Sequence, residues 1–321
     1  SHLCACACTR SPGCAARVEL MPIDACAPDW LRSAKIWAVR GVDGFRLIRC
    51  PFNAEAQLEL ACSALREWIE PPSANNLATA HGVSPAAAAD QTRLWERHVE
   101  QPAESLLGKL KWATVGYQYQ WTPRRYDPSC FSPFPEALER LGAELAGACG
   151  WPLHPEAAII NLYHPSSTMG GHKDDAEPNQ SAPIVSISLG LDAIYLLGGE
   201  TKETPPIAMR LHSGDVIVQG GRSRGYVHGV PRLLPGTLPP HLLPAAISEG
   251  CRAELAPFAE WLGAHRLNIN VRQVFGDEVE DLSSGTPQAD AEAPSQDAAT
   301  ARKRLRDAET SGSCQAEGSD G

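Results

Sequence analysis

The triplet His172-Lys173-Asp174 follows two glycines in "GGHKDDAE". In an extended chain, residues two apart point to the same side, so this imidazole and this carboxylate can face one point. Two histidines and one carboxylate on one face suit ferrous iron and leave positions open for a substrate and oxygen. His228, in "GYVHGVPR", is the candidate third ligand. It is expected to end a short strand, and the glycine after it permits close approach. Taken singly, His228 reads more readily as a polar strand-end residue than as a ligand, as do His164, His212 and His241.

"RLNINVR" places Arg266, Asn268, Asn270 and Arg272 on one face of a strand and Leu267, Ile269 and Val271 on the other. The apolar set can enter a core. The opposite set then sends two guanidinium groups into one cavity, which is costly unless anions meet them. A small dicarboxylate would meet them, because guanidinium and carboxylate match in bidentate fashion. The alternative is an exposed edge strand with unrelated arginines. Asn161 and Tyr163, in "IINLYHP", share one side of a strand just upstream, and their amide and phenol could bond the same dicarboxylate.

Several elements must position these groups. Asn53 can cap a helix from Ala54 to about Ile69, with Leu58, Cys62, Leu65 and Ile69 on one stripe. Ser84-Pro85 opens a second helix, to about Val99, and Pro135 a third, with Leu138, Leu141 and Leu145 inward and Gly150 at its end. After Trp151 short apolar runs alternate with turn residues, at 157–163, 183–190, 193–199, 207–221 and 266–275. Such closely spaced strands suggest a sandwich or jelly roll. "HSGD" (212–215) reads as a turn between two strands.

The formal charge is −10, but residues 276–321 hold 11 acidic and 4 basic residues, a net of −7, which leaves −3 for the rest. The folded part is therefore near neutral, and the acidity does not exclude a nucleic-acid partner. That tail has almost nothing apolar and is expected to be disordered; its "RKRLR" cluster (302–306) reads as a nuclear import signal, a nucleic-acid contact or a solvated charge run. Residues 1–30 read as a loose leader. Its first part carries Arg10 and Arg17 without an acid, a weak organelle signal. Eleven cysteines without a CxxC pair argue against a zinc ribbon and fit a reducing, intracellular setting. No apolar run approaches a membrane span, and a monomer is expected.

"NLYHPSSTMGGHKDD", then "HGV", then "RLNINVR" resembles the AlkB-type iron(II)/2-oxoglutarate dioxygenases across roughly residues 105–275. "WATVGYQYQW", "AIYLLGG" and "AMRLHSGDVIV" resemble the subgroup of AlkB homologue one. The resemblance implies an α+β fold: a double-stranded β-helix, or jelly roll, at 155–275, with a helical N-terminal part (50–150) outside it in one domain of 31–275. It implies that His172, Asp174 and His228 hold Fe(II). Arg266 would bind the distal carboxylate of 2-oxoglutarate with Asn161 and Tyr163, while Arg272 and Asn268 would address the end that chelates iron. With O₂ as co-substrate, such enzymes form succinate and CO₂ and release a methyl group as formaldehyde.

The implied substrate is an N-methylated base in nucleic acid, N6-methyladenine in DNA or 1-methyladenosine in tRNA, single-stranded or flipped from its stack. "KLKWATVGYQYQWTPRRY" (109–126) interleaves Trp112, Tyr119, Trp121 and Tyr126 with cations, which suits stacked bases. A half-buried hairpin with ordinary aromatics is the alternative. Arg222 and Arg224 are candidate phosphate or base-edge contacts. One departure concerns an acid that several direct-repair members carry two places after the iron aspartate. Here that place is Ala176, flanked by Asp175 and Glu177. Two other readings remain open: a protein demethylase or hydroxylase using the same iron centre, and a non-catalytic nucleic-acid-binding module.

Overall fold

The computed structural model describes residues 18–77, 93–121, 124–250 and 253–276. The acidic tail with its basic cluster, residues 1–17 of the leader and the start of the second expected helix lie outside these residues.

Among the described residues, fourteen strands form two sheets. The N-terminal strands are β1 (Val18–Met21), β2 (Lys35–Val39), β3 (Phe45–Arg49) and β4 (Ala74–Asn75). A hairpin follows, β5 (Trp112–Gln120) and β6 (Arg125–Phe131). Then come β7 (Ala157–Tyr163), β8 (Met169–His172), β9 (Ile184–Gly190), β10 (Asp192–Leu197) and β11 (Ile207–Leu211). The last three are β12 (Val216–Gln219), β13 (His228–Leu234) and β14 (Arg266–Arg272). The larger sheet runs β1-β2-β3-β12-β9-β14-β7-β5-β4 with β6 paired to β5; the smaller runs β11-β10-β13-β8. Antiparallel pairs of this kind make a jelly-roll core, with helices against the outer face of the larger sheet.

The helices are α1 (Ala54–Ser63), α2 (Leu94–Glu100), α3 (Glu136–Ala148), α4 (Pro244–Gly250) and α5 (Ala256–Ala264). Asn53 caps α1, accepting from the Ala56 amide at 2.8 Å, and a π-turn at Ala64–Trp68 prolongs it. Leu58, Leu65 and Ile69 are buried as the stripe predicts. Gly150 ends the α3 segment at φ 84°. No described helix is long and apolar enough to cross a membrane.

Two expectations are corrected. The leader does not extend to residue 30, because Val18–Met21 already pairs with Ile36–Val39. The part at 50–150 is not only helical, because residues 112–131 form the hairpin; ahead of it, β2 and β3 extend the larger sheet, β3 pairing with β12.

The alternation of "RLNINVR" decides where the layers meet. Leu267, Ile269 and Val271 are fully buried among the helices. Arg266, Asn268 and Asn270 face the smaller sheet, whose Ala193, Tyr195, Leu197 and Val230 pack with Tyr163 and Phe45 between the sheets. "HSGD" forms the tight turn between β11 and β12: Asp215 accepts from the His212 amide at 2.8 Å, and Gly214 has φ 85°.

Candidate active site

His172 ends β8 and His228 begins β13, so His228 starts a strand rather than ending one. The two residues pair in register across these strands. Gly229 is needed for the approach, since a Cβ there would lie 2.9 Å from the Met169 carbonyl oxygen. Each imidazole donates from Nδ1 to a backbone carbonyl, His172 to Gly170 at 3.0 Å and His228 to Tyr226 at 3.1 Å. That fixes the tautomer and turns both Nε2 lone pairs inward. They lie 3.9 and 3.7 Å from the two oxygens of Asp174. The three donor atoms fall within 4.8 Å of one another, the one such trio of His, Cys, Asp and Glu among the described residues that could hold a metal ion.

Protonation favours ligation. Burial works to raise the Asp174 carboxyl, but Arg272, His228, His172 and Arg224 outweigh it and hold it down to about 2. Burial drives the His228 imidazole below its ordinary value, so it stays neutral where a free histidine begins to charge. Tyr195 stacks on His228 with ring centroids 5.8 Å apart and donates to Gln219 at 2.8 Å.

The cavity beside the trio is lined by Tyr163, Arg266, Asn268 and Asn270 on one side and by Tyr195 and His228 on the other. Arg266 is 2% exposed, yet its Nε has no partner and no carboxylate lies within ion-pair reach among the described residues. The Tyr163 ring lies over it, 5.5 Å from the guanidinium carbon, and Asp215 and Asp192 act on it only from beyond ion-pair distance. A buried cation without an ion-pair partner beside a His-Asp-His set fits an anionic co-substrate next to a metal. A larger cavity of about 940 Å³ lies elsewhere, between α1 and α3, and contains none of these groups.

The other expected residues divide. Asn161 sits opposite Asn268 and is buried, but it does not line the cavity. Asn268 donates to the Ser186 hydroxyl at 2.9 Å and to the Ile187 carbonyl at 3.0 Å. The Tyr163 hydroxyl points at the Met169 sulfur, 3.6 Å away. Arg272 has protein partners instead of an open cavity: Glu177, and Asp174 at 3.6 Å.

Three substrate candidates are corrected. Arg224 is 3% exposed, Glu177 2% and Tyr126 5%, so none of them is open to a nucleic acid. Arg224 donates to the carbonyl oxygens of Asp174 and Ala182 and pairs with Glu177 at 2.9 Å. Burial would raise the Glu177 carboxyl, yet Arg272 and Arg224 carry it below the ordinary carboxylate range. The three charges form a buried ladder that holds the loop after β8. The sequence concealed this, because Arg222 and Arg224 are two apart in "GRSRG" but lie on a 3-10 turn (Gly221–Gly225), where they point apart. Tyr195 and Gln219 were also missed; their only signal is their alternation on β10 and β12.

The hairpin presents a ladder of rings. Trp121 lies 4.8 Å from both Trp112 and Tyr119, and Tyr119 lies 5.3 Å from Tyr126. Trp121 is exposed, whereas Tyr126 is buried against Glu177 and Arg272. Asp175 and Arg222 are exposed, each in an ion pair.

The model of the 2OG-Fe(II) oxygenase superfamily matches residues 61–272. The chain is 35% identical over 263 residues to the human protein named nucleic acid dioxygenase ALKBH1, covering 74% of this chain and 66% of that one. It is 32% identical over 262 residues to the Schizosaccharomyces pombe tRNA demethylase abh1, covering 75% and 82%. To the Arabidopsis thaliana DNA N(6)-methyladenine demethylase ALKBH1A it is 44% identical over 177 residues, covering 54% and 51%. The solved structure of OsALKBH1 shares the fold, with a TM-score of 0.50 at 21% identity over 74% of this chain and 99% of that one. Iron-type donors, a lone buried guanidinium and this match agree: the chain belongs to the 2OG-Fe(II) oxygenase superfamily, among its AlkB-type Fe(II)/2-oxoglutarate-dependent dioxygenases.

Proposed function

We propose that this chain removes methyl groups oxidatively from N-methylated bases in nucleic acid, acting as a monomer on single-stranded or flipped substrate. N6-methyladenine in DNA and 1-methyladenosine in tRNA are the candidate bases. The observation that carries this reading is the ring ladder from exposed Trp121 to buried Tyr126, which ends on the network around Asp174. Stacking surfaces leading from solvent to a metal-ligand set suit a flat base drawn from its strand. Relatives named for action on DNA and on tRNA support the same substrate class.

His172, Asp174 and His228 are assigned to the iron, and Arg266 to the distal carboxylate of 2-oxoglutarate, with Tyr163 and Asn268 as walls. Arg272 acts through Asp174, which it orients together with Arg224 and Glu177. Asn161 supports Asn268 from the neighbouring strand. When bound, iron would supply an oxidant from O₂, with 2-oxoglutarate converted to succinate and CO₂, to hydroxylate a methyl C–H; the N-hydroxymethyl base would then lose formaldehyde and leave the unmethylated base. The chain's share is to hold the ligands, exclude water with Tyr195 and Tyr163, and place the base.

The test is formaldehyde release together with nucleoside mass spectrometry on methylated DNA oligonucleotides, tRNA fragments and methylated histone peptides. Loss of the base methyl group with 2-oxoglutarate present supports the reading. Turnover of the peptides alone assigns the site to a protein substrate.

A further inference from the structure

Two exposed arginines flank the segment that carries His172 and Asp174, and each pairs with an exposed acid; Arg124 also bonds the Tyr119 side chain. Arg124, at the start of the β6 end of the hairpin, pairs with Asp175 at 3.1 Å, and their side chains are 67% and 56% exposed. Arg222 pairs with Glu200 at 2.6 Å, at 69% and 62%. Asp175 directly follows Asp174. Glu200 follows the strand-end residues Gly198 and Gly199, which exchange hydrogen bonds of 2.8 Å with Val227 beside His228. The positive charge of Lys173, within the iron triplet, also acts on Glu200.

We propose that Arg124 and Arg222 are phosphate contacts on either side of the entering base, masked by Asp175 and Glu200 until a single-stranded backbone displaces those acids. The inference rests on the nucleic-acid reading above and adds the residues that would grip the strand. Exposed ion pairs contribute little, so exchanging the acid for a phosphate costs little. A guanidinium fork matches both anions equally well. Release of counterions condensed on the nucleic acid then favours the phosphate. The adjoining Arg224 shows the contrast: it is buried on three protein partners and has nothing to exchange. The acids also keep the mouth from being a bare cationic patch that binds any polyanion.

The experiment is fluorescence anisotropy with an unmodified, labelled single-stranded oligonucleotide, titrated at several salt concentrations. Arg124→Ala and Arg222→Ala should each weaken binding and flatten the salt dependence by about one phosphate contact. Asp175→Ala and Glu200→Ala should tighten binding, by up to about fivefold. In the Arg124→Ala background, Asp175→Ala should lose most of that gain, because nothing remains to be unmasked. An equal gain with and without Arg124 would reduce Asp175 to a general repulsive charge and overturn the proposal, as would a salt dependence untouched by Arg124→Ala. If binding follows the expected pattern but no methylated base is turned over, the substrate reading fails and the phosphate contacts stand. If demethylation proceeds with unchanged salt dependence in both arginine variants, the masked contacts fail alone.

Discussion

His172 and His228 pair in register across β8 and β13 with ring centroids 4.5 Å apart. Two strands therefore fix the spacing of two ligands before any metal arrives, and each ring is oriented by a backbone carbonyl. Asp174, two residues beyond His172, closes the trio from a loop clamped by Arg224 and Arg272. The site is preorganised by backbone and by buried charge.

Arg266→Met should raise the thermal midpoint of the co-substrate-free protein by about 2 °C or more, because it replaces a buried charge that has no ion-pair partner with an unbranched apolar chain. The same change should raise the apparent KM for 2-oxoglutarate at least tenfold. Differential scanning fluorimetry and turnover kinetics read the two effects. A fall in both midpoint and KM would contradict the role assigned to this residue.

Glu177→Gln should cost about 3 kcal/mol or more, since it leaves Arg224 and Arg272 buried without their shared carboxylate. The sign of the pH dependence follows from the lowered Glu177 carboxyl. Its contribution is complete above the ordinary value of 4.5 and fades as pH falls through the lower folded-state value. Chemical denaturation from neutral pH downward should show the gap between wild type and variant narrowing only below 4.5. A gap that stays constant across that range would mean that the loss is one of packing.

Metal binding should survive to lower pH than an unperturbed histidine allows. Burial lowers His228, and Asp174 is ionised far below neutrality, so these two donors stay deprotonated as pH falls through 6.5. Titration of Mn(II) or Co(II) against pH should give a midpoint below 6.5; a midpoint above it would show that His228 is not a ligand or is not buried in solution.

Trp121→Ala should weaken binding of a single-stranded oligonucleotide roughly tenfold, the usual effect of losing one stacking ring. The change should leave the thermal midpoint nearly unmoved, because the ring is 43% exposed. Unchanged affinity would remove the ladder from the substrate path.

Much of this site can be read in the chain because it obeys period two. The alternation of Arg266, Asn268 and Asn270 with Leu267, Ile269 and Val271 marks both the cavity face and the core face of β14. The spacing of His172 and Asp174 works the same way. Legibility fails where burial of charge depends on distant segments. Glu177 looks like a surface acid beside Asp175, and only the approach of β14 and of the turn at Gly221–Gly225 makes it the centre of a buried ladder. The pairing of β3 with β12 is similarly non-local, as the two strands lie more than 160 residues apart. Arg124 and Asp175 meet only because the hairpin folds over the iron loop.

The central claim is that the trio holds ferrous iron with 2-oxoglutarate on Arg266 beside it. Anaerobic addition of Fe(II) and 2-oxoglutarate, followed by visible absorption, tests it most directly. Wild type should develop a weak charge-transfer band that Asp174→Ala lacks while keeping its circular dichroism spectrum. No band in the wild-type protein, or an undiminished band in the variant, would contradict the account.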